Sequence, residues 1–122
     1  MKKTMYALKD NAKKDKITVI EVRILEWFQK SNGNSYFAGT VELFSGSELV
    51  QRIILDFQYG YGSHAEFTAA GEIGFSSLLE LREFCKKNKI HYSFSKDENC
   101  RERDLKNLVR YTRSIPVEET EA

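Results

Sequence analysis

The sequence predicts an α+β fold, an N-terminal three-stranded antiparallel meander followed by helices, with a candidate fourth strand near residues 90–95. Two observations carry this. The first half alternates apolar and polar residues between short turn signals, as half-buried strands do. After Gly62 the apolar period lengthens to that of a helix, and Ser-x-x-Glu patterns mark helix starts.

From Ile17 to Phe28 the chain is rich in β-branched residues, with Thr18, Ile20, Val22 and Ile24 on one face and Glu21 and Arg23 on the other. Ser31-Asn32-Gly33-Asn34 is a turn signal, because Asn-Gly tolerates positive φ. A second strand is predicted over Ser35 to Phe44, with Phe37, Val41 and Leu43 sharing a face. Ser45-Gly46-Ser47 turns the chain into a third strand, Leu49 to Phe57. Its apolar side holds Leu49, Ile53, Leu55 and Phe57, and its polar side Arg52 and Asp56.

Ser63-His64-Ala65-Glu66 fits a capping box, and Gly71 and Gly74 are expected to stop the helix it opens. A second box, Ser77-Leu78-Leu79-Glu80, opens a longer helix to about Asn88, with a stripe of Leu78, Leu81, Phe84 and Cys85 for docking on the sheet. Ile90 to Ser95 alternates as a strand would, at a sheet edge or against another subunit. A last helix, about Asn99 to Arg113, buries Leu105, Leu108, Val109 and Thr112. The domain organisation that follows is a basic flexible arm over 1–16, one α+β domain over 17–114 and an acidic flexible tail over 115–122.

The chain has 122 residues, 41% hydrophobic and 30% charged, which suffices for one core. Its net charge of +1 provides no global attraction to nucleic acid or anionic membrane. Cys85 and Cys100 form no disulfide framework or zinc spacing, and are expected as reduced thiols. No apolar run reaches the length of a membrane span, and no hydrophobic stretch follows the basic N-terminus, so a cytoplasmic protein is expected.

Catalysis requires a nucleophile, acid, base or metal in a shaped pocket. His64 and His91 have no carboxylate or cysteine at metal-ligand spacing, and no phosphate loop, dinucleotide fingerprint or serine elbow occurs. The expectation is a non-catalytic protein with no catalytic residue, metal or cofactor. Binding chemistry concentrates in Phe57-Gln58-Tyr59-Gly60-Tyr61-Gly62-Ser63-His64. Tyr59 and Tyr61 offer flat faces on which a base can stack, and the helix start after Ser63 offers amides to an anion. A plain strand-to-helix turn with its tyrosines on the core explains the same residues. On the last helix Arg103, Asn107 and Arg110 share a face that Arg113 extends. Such a row forks onto phosphate oxygens or is simply a solvated face. Trp27 reads as core or subunit interface.

The turn Asn32-Gly33-Asn34-Ser35-Tyr36 and the loop Tyr59-Gly60-Tyr61-Gly62, followed by Phe67-Thr68-Ala69, resemble a group of short phage and prophage proteins. In size and order of elements, residues 17 to about 113 resemble the sponge-type Thoeris anti-defence proteins. That resemblance implies sequestration of a cyclic ADP-ribose isomer, an immune signal, in the host bacterial cytoplasm. It also implies a homodimer or higher even oligomer with recessed pockets at the subunit interface. Carried over by residue type, the ligand-binding set is Tyr59, Tyr61, Ser63, His64, Arg110 and Arg113, aromatic rings stacking adenine and arginines clasping pyrophosphate. The alternatives are an inhibitor that binds a host protein directly and a double-stranded-RNA-binding module. The second ranks last, because that family begins with a helix and uses a lysine cluster where Lys96 to Arg103 here mixes signs.

Overall fold

The computed structural model describes residues 4–113. Its elements are α1 (Leu8–Asn11), β1 (Val19–Gln29), β2 (Asn34–Ser45), β3 (Glu48–Tyr59), α2 (His64–Glu72), α3 (Leu78–Lys87), β4 (His91–Asp97) and α4 (Glu102–Arg113). The fold is α+β, built on one mixed sheet in the order β3-β2-β1-β4. The meander is antiparallel as predicted, and Gly33 takes the positive φ of its turn, +71°. The fourth strand lies at the sheet edge, parallel to β1. A parallel pair requires a long crossover, here supplied by α2 and α3.

Each sheet face has its own core. On one face Ile20, Val22, Ile24, Phe37, Val41, Leu43, Ile53 and Leu55 pack against Ala65, Ala69, Leu81 and Cys85 of α2 and α3. On the other, Leu105 and Val109 of α4 pack on Ala38, with Leu25, Trp27, Tyr36, Ile54 and Phe57 around them. The amphipathic stripe of α4 therefore docks where its period placed it, with Thr112 also buried.

Four expectations change. The first concerns the arm. From Thr4 onward it belongs to the fold, since Leu8 is fully buried in the larger core and the Met5 and Tyr6 amides donate to the Glu72 carbonyl. One leucine among lysines carries little periodic signal, but its burial is worth about 1.5–3 kcal/mol. Residues 1–3 and the tail at 115–122 lie outside the described residues.

Phe57 lies on the opposite face from Ile53 and Leu55, beside Trp27 and Tyr36, and Leu49, paired with Phe44 beyond a second register shift, also leaves the face of Ile53 and Leu55. The β2–β3 register slips between Phe37 and Gly39, where Gln58 and Leu55 are the successive partners. An extra residue in β3 reverses the alternation beyond it. The third change is in α2, which runs through Gly71 and ends before Gly74.

The fourth is the first capping box. Ser63 makes no side-chain cap, and Glu66 turns inward, where it accepts from the Tyr92 hydroxyl at 2.6 Å and from Arg82 Nη2 at 3.0 Å. The second box is half realised. Ser77 Oγ accepts from the Glu80 amide at 3.1 Å, but Glu80 returns to Ser76 rather than Ser77.

Burial pushes the Cys85 thiol up to about 11 from an ordinary 9.0. The folded thiol is neutral, whereas an unfolded chain releases its proton near pH 9, so stability present below pH 9 is lost as pH rises toward 11. The full loss from this group is about 2–3 kcal/mol. The Tyr92 and Tyr6 phenols, held above their ordinary 10.0 by burial and then by Glu66 and Asp15, deepen the decline at higher pH. Urea midpoints measured from pH 8 to 11 are expected to fall, and Cys85→Ala to delay the onset.

Candidate functional site

The loop leaving β3 places four of the six residues expected to bind ligand in one cleft. Tyr59, Tyr61, Ser63 and His64 line a hollow of about 320 Å³, together with Gly60 and Phe67. Sites for drug-sized ligands begin near about 300 Å³. A second hollow of about 330 Å³ shares the His64 and Phe67 walls and continues along α2 to Gly71.

The tyrosines do not pack into the core. Tyr59 is 53% exposed and Tyr61 67%, the two rings meeting edge to face at 6.2 Å. They end a run of aromatic contacts that begins inside the sheet. Trp27 stacks on Tyr36 at 5.3 Å, Tyr36 stacks on Phe57 at 5.4 Å, and Tyr36 meets Tyr59 edge-on at 5.9 Å. The inner rings thus position the outer ones, which keep open faces.

Gly60 makes the bend compact. Its amide donates to the Ser35 carbonyl at 3.0 Å, which anchors the loop to the start of β2. A side chain there would meet His64 Cδ2 at 2.6 Å and Phe37 Cε1 at 2.7 Å. The glycine therefore lets the imidazole lie edge-on against Phe37, with centroids 5.8 Å apart. His64 opens α2, and its own amide donates to the Tyr61 carbonyl at 3.1 Å. Because Ser63 does not cap this helix, its hydroxyl and the Ala65 and Glu66 amides remain as donors at the helix start.

Lys96 holds the loop from the far side. Its Nζ donates to the Gly62 carbonyl at 3.0 Å and lies 3.3 Å from Glu26 and 3.4 Å from Glu98. Two carboxylates neutralise this cation, so it positions the loop rather than offering charge to a ligand. Lys96 and Gly62 lie 34 residues apart, and only the tertiary fold brings them together. Phe67 was more accessible to sequence reasoning, since a residue three after His64 shares its side of a helix.

Arg110 and Arg113 are not among the cleft's lining residues. They stand exposed on α4, across the sheet from α2, and Arg113 pairs with Asp56. Within one chain the expected ligand set is therefore divided. No family model, curated protein or solved structure matches this chain. Among the described residues no helix is long and apolar enough to cross a membrane, and no group of three or more His, Cys, Asp or Glu side chains is placed to hold a metal ion.

Proposed function

We propose that this chain is a non-catalytic phage-type anti-defence protein that sequesters a cyclic ADP-ribose isomer in the cytoplasm of a bacterial host, acting as a homodimer or higher even oligomer. The observation that carries the proposal is the pair of exposed tyrosine faces, Tyr59 and Tyr61, beside the uncapped start of α2 in a single cleft. An adenine stacks on such faces, and phosphate oxygens accept from Ser63, from His64 and from helix-start amides. Sequestration requires tight binding and slow release rather than a reactive group. Arg110 and Arg113 serve the ligand only if assembly brings α4 of another copy to the cleft.

Retention decides the matter. Purified protein is incubated with each isomer, washed on a filter and heat-denatured, and the released nucleotide is identified. Unchanged nucleotide is expected. Tyr61→Ala and His64→Ala should each weaken retention by about tenfold, the equivalent of about 1.4 kcal/mol and within the range of one stacked base. A chemically altered product would indicate an enzyme, and no retention of any isomer would sink the proposal. The second outcome would favour the inhibitor reading, because an exposed run of Tyr59, Tyr61 and Phe67 also suits a protein partner.

A further inference from the structure

We propose that the outer edge of β4 pairs antiparallel with β4 of a second copy of this chain, about a two-fold axis at Phe94. The sheet has two edges, and they differ. β3 carries two register shifts against β2, and such irregularities discourage edge pairing. β4 keeps an unbroken register with β1 from His91 to Asp97, and among the described residues no strand lies on its outer side.

The backbone shows which groups face outward. The His91 amide donates to the Thr18 carbonyl at 2.9 Å, so His91 points toward β1. Backbone direction alternates along a strand, which leaves the amides and carbonyls of Tyr92, Phe94 and Lys96 directed away from the sheet. An antiparallel two-fold centred on Phe94 uses all three of these residues. Phe94 bonds reciprocally with Phe94 of the partner subunit, and Tyr92 with Lys96 of the partner subunit. A two-fold centred on Ser93 or on Ser95 leaves one of the three unpaired.

The side chains are self-complementary in the same register. His91 faces Asp97 of the partner subunit, and Ser93 faces Ser95 of the partner subunit. The two Phe94 rings, each 36% exposed in the single chain, cover one another. Both His91 and Asp97 are exposed, and neither forms an ion pair among the described residues. Lys96 lies in this edge and also holds the Gly62 carbonyl, so pairing would fix the strand that holds the ligand loop. That link to the cleft rests on the nucleotide reading, but the pairing itself does not.

The test is the mass of the full chain by sedimentation equilibrium, without nucleotide, so that failure of retention and failure of pairing are seen separately. A dimer is expected at micromolar concentration. Phe94→Pro removes an amide that bonds nothing among the described residues, so it should give a monomer with an unchanged circular dichroism spectrum. If that variant does not fold, His91→Asp sets a carboxylate against Asp97 of the partner subunit and should raise the dissociation constant several-fold. Adding Asp97→His should restore it. A monomeric wild type, or a dimer that neither Phe94→Pro nor His91→Asp weakens, overturns the proposal.

Discussion

Phe37→Ala is expected to lower the stability of the folded chain by about 3–5 kcal/mol, the range for deleting a fully buried phenylalanine. Phe37 is completely buried in the larger core, where β2 pairs with both β1 and β3. Nearby segments cannot close the void without breaking the strand ladders. A domain of this kind has about 5–15 kcal/mol in total, so a large share would go at one position. The measurement is a urea titration, in which the midpoint should fall at an unchanged slope. The cleft should suffer with the core. Phe37 supports the His64 ring and lies against Gly60, so its loss frees the imidazole that lines the hollow. A midpoint within experimental error of the wild type would show that Phe37 is not the support of this region.

Gly39→Ala is expected to cost about 3 kcal/mol or more, at or above the upper end of ordinary overpacking. Gly39 pairs with Ile24 on one side and Leu55 on the other, in the middle of the sheet. A methyl group there would lie 2.2 Å from the Arg23 carbonyl oxygen and 2.8 Å from Ile24 Cδ1. The first obstacle is backbone held in the β1–β2 ladder and cannot rotate away as a side chain can. Gly71 provides the contrast. It lies inside α2 with nothing within 4 Å of an added Cβ, so Gly71→Ala should stabilise the chain by roughly 0.5–1 kcal/mol. Thermal unfolding of the two variants should therefore move in opposite directions, and equal shifts would contradict this account.

Much of the sheet was legible because its signals are local. The alternation of Ile20, Val22 and Ile24 and the Asn32-Gly33 turn each specify a conformation within a few residues. The same holds for the Ser77 cap of α3 and the Leu105–Val109 stripe of α4, and the structure retains all of them. The misreadings have a common origin in long-range contact. Ser63-His64-Ala65-Glu66 satisfies the capping pattern, yet Tyr92 and Arg82 draw Glu66 away from the helix start. Phe57 continues an alternating run, yet the bulge places it under α4, where Lys106 lies over its ring. The lysine-rich N-terminal segment reads as solvated, yet Leu8 is buried and Tyr6 bonds Asp15.

The candidate site divides in the same way. The sequence by itself determined the aromatic and glycine residues of the loop from Phe57 to His64 and the helix that follows, because side-chain type and turn chemistry belong to adjacent residues. Only the tertiary structure decided that Tyr59 and Tyr61 stand exposed, that Ser63 leaves α2 uncapped, and that Lys96 grips Gly62. It also set Arg110 and Arg113 on α4 rather than in the cleft. Local periodicity tells a chain which conformation each segment prefers. Which segments meet depends on burying apolar faces and pairing polar groups that lie far apart in sequence, and that choice is made by the folded whole.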